Sequence, residues 1–178
     1  MKKYALVIKE DACWGCKTCE VACKQEQNTP GGISYISVSE DGPRMVDGKL
    51  DFTYRVTVCK HCENPPCRDV CPVDAIIQRD DGIVILQSDK CTGCEACIEA
   101  CPYHAISFDP EQKVARKCNL CYFRIDHGLY PACADNVCPA HCIYFGDATT
   151  IDTMIEKKEW LTYRIEGKLG SWVVHIDD

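Results

Sequence analysis

The sequence predicts an α+β protein made of small cysteine-rich modules, with short hairpins and with loops and helices that bind metal. Three observations carry that expectation. Cysteine supplies 17 of the 178 residues, a density that marks either a disulfide scaffold or a metal-rich protein. These cysteines fall into four tight groups rather than scattered pairs. A short motif also recurs after three of the groups, followed each time by residues of strand character.

Composition excludes several classes. Hydrophobic residues make up 46% and charged residues 26%, which rules out disorder, collagen and coiled coil. No apolar run approaches the ~20 residues that span a bilayer, and the longest, Tyr4–Ile8 and Ile83–Leu86, are strand-sized. Only twelve residues precede the first cysteine, too few for a secretory or twin-arginine leader, so a cytoplasmic location is expected, with export on a partner's signal left open. A net charge of −7, from 20 basic and 27 acidic side chains, argues against nucleic acid or anionic lipid as the main partner. The odd cysteine count and the tight clustering point away from disulfides and toward metal. Cysteines stand where Leu or Val would otherwise fill a small core, so a group bound to sulfur is expected to contribute much of the folding energy.

The first group is Cys13, Cys16, Cys19 and Cys23; the third is Cys91, Cys94, Cys97 and Cys101, with Pro102 after it. Both have the C-x2-C-x2-C-x3-C spacing of [4Fe–4S] sites, in which three cysteines hold one cluster and the fourth reaches another. Three thiolates on a tight loop converge on three corners of a cube, whereas the fourth lies one helical turn on, displaced by ~6 Å. Gly15 and Gly93, each just before a second cysteine, would let backbone N–H groups approach cluster sulfides. The second group, Cys59, Cys62, Cys67 and Cys71, adds two residues and a Pro65-Pro66 turn between its second and third cysteines. The fourth is looser: Cys118, Cys121, Cys133 and Cys138, with Cys142 beyond.

Four clusters need sixteen thiolates, which leaves one spare. The chain reads Cys71-Pro-Val-Asp-Ala75-Ile76, Cys101-Pro-Tyr-His-Ala105-Ile106 and Cys138-Pro-Ala-His-Cys142-Ile143. Cys142 thus occupies the slot of two alanines and is expected to pack as a small hydrophobe. The rival reading makes Cys142 the ligand and Cys138 the spare, because Cys133 and Cys138 are one residue further apart than their counterparts. All-thiolate zinc sites are the bland alternative, but zinc rarely uses three cysteines at x2-x2 intervals.

Along the chain, Lys3–Lys9 reads as a strand, Gln25–Gly32 as a polar loop, and Ser34–Ser39 and Asp51–Val58 as strands around a Gly/Pro-containing turn. Ala75–Gln78 with Ile83–Leu86, and Ala105–Phe108 with Lys113–Arg116, read as hairpins. Groups two and three then form one ferredoxin-like module, residues 59–116, inserted in an outer one made of 1–58 and 117–150. Thr150–Trp160 has helical character, with Ile151, Met154, Ile155 and Trp160 on one face; 151–178 is expected to be a docking tail carrying Trp160, Tyr163 and Trp172.

The stretches Cys59-x-His-Cys62-x2-Pro-Pro-Cys67-x3-Cys71-Pro, Lys117-Cys-Asn-Leu-Cys121-Tyr-Phe-Arg124, Gly128-Leu-Tyr-Pro-Ala-Cys133 and Phe145-Gly146-Asp147 carry a resemblance. Over about residues 3–150 the chain resembles the four-cluster electron-transfer subunits of molybdenum and tungsten bis-pterin oxidoreductases of the dimethyl-sulfoxide-reductase type. Leaner versions in that family include small subunits of tungsten aldehyde oxidoreductases and of tungsten-dependent benzoyl-CoA reductase. The departures are the extra residue before Cys138, Lys24 where a proline often follows the first group, and the short chain. The resemblance implies crossed ligation. Cys13, Cys16 and Cys19 would pair with Cys138, and Cys118, Cys121 and Cys133 with Cys23. Likewise Cys59, Cys62 and Cys67 would take Cys101, and Cys91, Cys94 and Cys97 would take Cys71.

The expected function is therefore single-electron transfer through four [4Fe–4S] clusters (three if the irregular fourth group builds none), to or from a larger tungsten- or molybdenum-pterin catalytic subunit. A further electron-transfer subunit or soluble ferredoxin would complete the circuit, and no substrate chemistry is expected on this chain. A free-standing polyferredoxin is the alternative. Four clusters of charge −2 would take the holoprotein to about −15, a charge to be offset by N–H groups aimed at sulfur. His61, His104 and His141 lie near cysteines, as proton relays, iron ligands or outer neighbours; Trp14, Tyr122 and Phe123 read as packing; Arg124 either meets the anionic cluster or lies at the surface.

Overall fold

Strands too short to form a stable sheet alone are gathered here into paired ribbons around sulfur. The computed structural model describes residues 4–134 and 136–156, and every strand among them belongs to a two-stranded antiparallel sheet. Strand β1 (Tyr4–Ile8) pairs with β8 (Ile143–Asp147), from Tyr4 opposite Asp147 to Ile8 opposite Ile143, and so closes the chain on itself. The other ribbons are local hairpins: β2 (Ile36–Val46) with β3 (Lys49–Val58), β4 (Ile76–Gln78) with β5 (Val84–Leu86), and β6 (Ile106–Asp109) with β7 (Val114–Lys117). Helix α1 (Thr18–Gln27) has ten residues; α2 (Pro66–Asp69), α3 (Ala96–Glu99) and α4 (Tyr122–Ile125) are single turns. Residues 151–156 are helical. Small strands and helices together give the α+β class; the remainder of the helix expected over Thr150–Trp160, with Trp160, Tyr163 and Trp172, lies outside the described residues.

One turn is used three times. In the repeated Cys-Pro motif, Asp74, His104 and His141 have φ of 50°, 50° and 48°. Their N–H groups return to the carbonyls of Cys71, Cys101 and Cys138 at 3.4, 3.2 and 3.0 Å. Asp and His tolerate the left-handed region better than most residues. Each turn delivers an isoleucine, Ile76, Ile106 or Ile143, into the first position of a strand and into a buried site. His104 and His141 are thus explained by backbone geometry.

Two elements run further than the sequence suggests. The polar residues Gln25–Gln27 continue α1 instead of forming a loop, because polar partners await them: Glu26 meets Arg124 at 2.8 Å, and Gln27 accepts from Asn119 at 2.9 Å. The β2–β3 hairpin reverses at Asp47-Gly48, with φ of 50° and 76°, the pattern of a type I′ turn. Gly42 and Pro43 lie inside β2, where the register shifts between Asp41 and Arg44 as at a bulge. Leu50, Phe52, Tyr54, Val56 and Val58 alternate onto one face of β3. The inner pair is buried and Tyr54 packs on the core, whereas Phe52, Leu50 and Met45 opposite Leu50 are exposed.

Cysteine is a core residue throughout. The largest buried cluster joins Ile33, Ile36, Val38, Val56, Val58 and Ile143 to Cys19, Cys23, Cys118, Cys133, Cys138 and Cys142. A second joins Ile76, Val84, Ile106 and Ala115 to Cys67, Cys97 and Cys101. Between them Ile83 packs with Leu120, Ile125 and Phe145, and Arg79 reaches Asp126 through two hydrogen bonds of 2.9 and 2.7 Å. Ile151 and Ile155 seat the helical segment on Tyr144, with Ala5 and Val7 beside it.

Glycine is required at Gly93, whose φ is +71° and where an added Cβ would run into the Lys113 carbonyl. Gly93→Ala is expected to cost on the order of 2 kcal/mol, read as a lowered melting temperature and faster iron loss in the variant.

Candidate metal centres

The same local device builds each cysteine loop. The residue just before the second cysteine of each group, Gly15, His61, Gly93 or Leu120, has positive φ, of 67°, 45°, 71° and 55°. This bend turns backbone N–H groups onto sulfur: His61 donates to Cys59 Sγ at 3.4 Å and Leu120 to Cys118 Sγ at 3.3 Å. Ala75 donates to Cys71 Sγ at 3.3 Å, Ala115 to Cys91 Sγ at 3.4 Å, and the Gln27 side chain to Cys121 Sγ at 3.3 Å. At Gly15 a Cβ would meet the Tyr54 ring.

The thiols collect in four places. Cys59, Cys62, Cys67 and Cys101 line one pocket with Pro65, Pro66 and Lys117. Cys71, Cys91, Cys94 and Cys97 line another. Cys23 lies within electrostatic reach of Cys118 and Cys121, and Cys133 within reach of all three. Cys138 and Cys16 act on Cys19, and Cys142 is close to both Cys138 and Cys13. In the first three of these places one cysteine distant in sequence joins three from one loop, and in the last both Cys138 and Cys142 come to the loop of Cys13, Cys16 and Cys19.

Burial dominates the electrostatics. It pushes the thiols of Cys19 and Cys97 up to about 11 and those of Cys23 and Cys118 up to about 12, with neighbouring cysteines adding to the shift. Cys133 is raised further for the same reasons. Such thiols stay protonated until a metal displaces the protons. Largely covered groups of cysteine sulfurs that also receive N–H bonds fit an anionic iron–sulfur group. Cys138 differs. Hydrogen bonds from the backbone N–H groups of Cys142 and Ala140, with the Cys142 thiol 3.5 Å away, hold its thiol below the usual range. The bond from the residue four positions on repeats the one from Ala75 to Cys71.

Adjacency orders the sets in a row. Cys67 is close to Cys97, Cys59 to Cys118, and Cys19 to Cys133. Cys94 and Cys16, in the two end sets, are the exposed cysteines. Arg124 donates to the Tyr130 carbonyl at 2.7 Å and to Glu26, and its charge also reaches Cys121. His61 Nδ1 accepts the Val84 N–H at 3.0 Å, which puts the ring proton on the buried Nε2. Burial, aided by Lys117, drives that imidazole down to about 3, so it is neutral and unsuited to relaying protons. Lys117 is a buried lysine to which the sequence pattern assigned no role. It is 4% exposed and donates from Nζ to the carbonyls of Val84 and Cys118 at 2.6 and 2.7 Å; its only sequence signal was a place between the predicted strand Lys113–Arg116 and Cys118.

Anaerobic removal of iron is expected to leave cores rich in unfilled cysteine sites. Near-ultraviolet dichroism should be lost while far-ultraviolet dichroism persists, with dye binding to exposed apolar surface.

Comparison with known proteins agrees with this chemistry. A family model described as a 4Fe-4S dicluster domain matches residues 50–148. A component of the polysulfide reductase of Wolinella succinogenes is 41% identical over 158 residues, covering 88% of this chain and 82% of the relative. The thiosulfate reductase electron transfer subunit of Salmonella typhi is 38% identical over 161 residues, with coverages of 88% and 83%. A Halobacterium salinarum protein, provisionally named as an iron-sulfur subunit of dimethyl sulfoxide reductase, is 40% identical over 202 residues, with coverages of 96% and 77%. The chain belongs to the 4Fe-4S dicluster family, as an iron–sulfur electron-transfer subunit of the dimethyl-sulfoxide-reductase type.

Proposed function

We propose that this chain is the four-cluster wire of a cytoplasmic reductase complex whose catalytic subunit holds molybdenum or tungsten on pterin. The single observation that supports it most is the row of thiol sets running from exposed Cys16 to exposed Cys94. [4Fe–4S] clusters bound in these sets supply one-electron redox chemistry. In this reading Cys13, Cys16, Cys19 and Cys138 hold the first, and Cys23, Cys118, Cys121 and Cys133 the second. Cys59, Cys62, Cys67 and Cys101 hold the third, and Cys71, Cys91, Cys94 and Cys97 the fourth. The β1–β8 pairing, with two separate cores, supports an outer module of 1–58 and 117–150 around an inserted 59–116. The residues do the remaining work: cysteine loops orient sulfur and aim N–H groups at it, while Ile76, Val84, Ile106 and their counterparts exclude water.

The exposed outer half of the β2–β3 arm offers the catalytic subunit an apolar seat beside the Cys16 loop, since Tyr54 on the same face packs against Gly15. Its two arginines are paired, Arg44 with Asp41 and Arg55 with Glu10 and Asp41. An apolar patch of this kind suits a permanent subunit better than a transient carrier.

Native co-purification tests the assignment. The expected product is a complex with a larger chain, molybdenum or tungsten, and roughly sixteen iron atoms per copy of this chain. A lone 20 kDa species carrying all its iron would instead make it a free polyferredoxin. Leu50→Glu with Phe52→Glu is expected to release the partner while retaining iron.

The two candidate ligands are separable. Cys142→Ala is expected to keep the full iron content, whereas Cys138→Ala loses about a quarter of it, measured by iron and sulfide analysis. The reverse pattern would make Cys142 the ligand.

A further inference from the structure

A buried ammonium with no carboxylate beside it demands explanation. Lysine is among the residues least often fully buried, and a buried charge needs a compensating one. Lys117 ends β7 with 4% of its surface exposed. Its Nζ bonds Val84 O at 2.6 Å and Cys118 O at 2.7 Å, two neutral carbonyls that use two of its three donors. Among the described residues no Asp or Glu forms an ion pair with it. The buried Asp109 is satisfied elsewhere, by Arg116 at 3.0 Å and by the N–H groups of Glu111 and Gln112 at 3.1 Å each.

What surrounds Lys117 is sulfur. Its side chain lines the space shared by Cys59, Cys62, Cys67 and Cys101, and its peptide leads directly into Cys118 of the neighbouring set. These are the two middle sets of the row, and Cys59 and Cys118 mark where they meet. The fixed cation therefore stands at the midpoint of the electron route, in a medium of low dielectric where charge acts strongly.

We propose that Lys117 sets the reduction potentials of the two middle clusters, its buried positive charge at their junction holding both above the value their thiolates and burial alone would give. The inference rests on the four-cluster reading. Reduction adds one electron, delivered from the adjacent set, and one negative charge to a cluster, with no bond made or broken. A nearby cation favours that added charge, and it favours it most for the two sets it touches. Without it, the middle of the row would be a barrier between the two ends.

The test is a potentiometric titration of anaerobically purified full-length protein followed by electron paramagnetic resonance, with Lys117→Gln and Lys117→Arg beside the unmodified chain. Iron analysis of the unmodified chain comes first and judges the four-cluster reading separately. Lys117→Gln keeps two N–H donors but no charge. It is expected to retain its iron and to shift two of the four clusters toward the oxidised form at least tenfold at fixed potential, a fall of about 59 mV. Lys117→Arg, which keeps the charge, should stay closer to the unmodified values. Four unchanged midpoints, or an equal shift of all four, overturn the proposal. Loss of iron from both variants also overturns it, leaving Lys117 as a brace between β5 and β7.

Discussion

The structure depends on one requirement: sulfur atoms from distant parts of the chain must converge in places that water does not reach. Six of the thirteen residues in the largest core are cysteine, so the metal sites and the hydrophobic core occupy the same volume. A two-stranded ribbon is marginal by itself, and the four ribbons here do not join into a larger sheet. What unites them is the exchange of cysteines. Cys101, from the end of α3, faces the loop of Cys59–Cys67, while Cys71, from the end of α2, faces the loop of Cys91–Cys97. Cys23, on α1, meets cysteines about a hundred residues later. Each exchange closes a long loop, whose entropy cost rises only slowly with length.

Much of this was legible because cysteine spacing is chemistry written directly into sequence. The repeated Cys-Pro-x-(Asp/His)-(Ala/Cys)-Ile motif led to two of the strands that the sequence predicts, Ala75–Gln78 and Ala105–Phe108; the third copy also begins one, at Ile143, and all three isoleucines are buried. The conformational reason was less visible. Gly15 and Gly93 advertise a positive φ, but His61 and Leu120 adopt it as well without any such signal. Leucine in that region is strained, and burial of Leu120 at 4% exposure between the two cores offsets the strain. The Asp47-Gly48 turn was legible as turn chemistry, yet Gly42-Pro43 drew attention from it; a bulge and a turn look alike when only composition is read. Lys117 was hidden for another reason. Lysine at a strand end is ordinarily a surface residue, and only tertiary packing reveals that this one points inward.

Polar links supplement the apolar packing around α4. Arg79, in the turn of the β4–β5 hairpin, grips Asp126 after α4 and stacks over the Tyr122 ring at 5.5 Å. Arg124 and Glu26 tie α4 to α1 at 2.8 Å with both side chains mostly covered. Exposed ion pairs contribute little; bidentate and partly buried ones contribute more and fix orientation. Orientation matters here because Cys59 and Cys118, from different parts of the chain, must stay close to one another.

Cys142 shows how a near-repeat can diverge usefully. In the inner copies its slot holds Ala75 and Ala105, which can offer only a backbone N–H, as Ala75 does to Cys71. Cys142 offers that N–H to Cys138 and also brings a thiol to 3.5 Å, where either sulfur can donate to the other. N–H donors on a sulfur stabilise its anionic form, so those of Cys142 and Ala140 lower the Cys138 thiol where burial raises Cys19 and Cys97. The place that reaches the surface at Cys16 thus gathers a fifth thiol, because Cys142 lies beside Cys13 as well as Cys138.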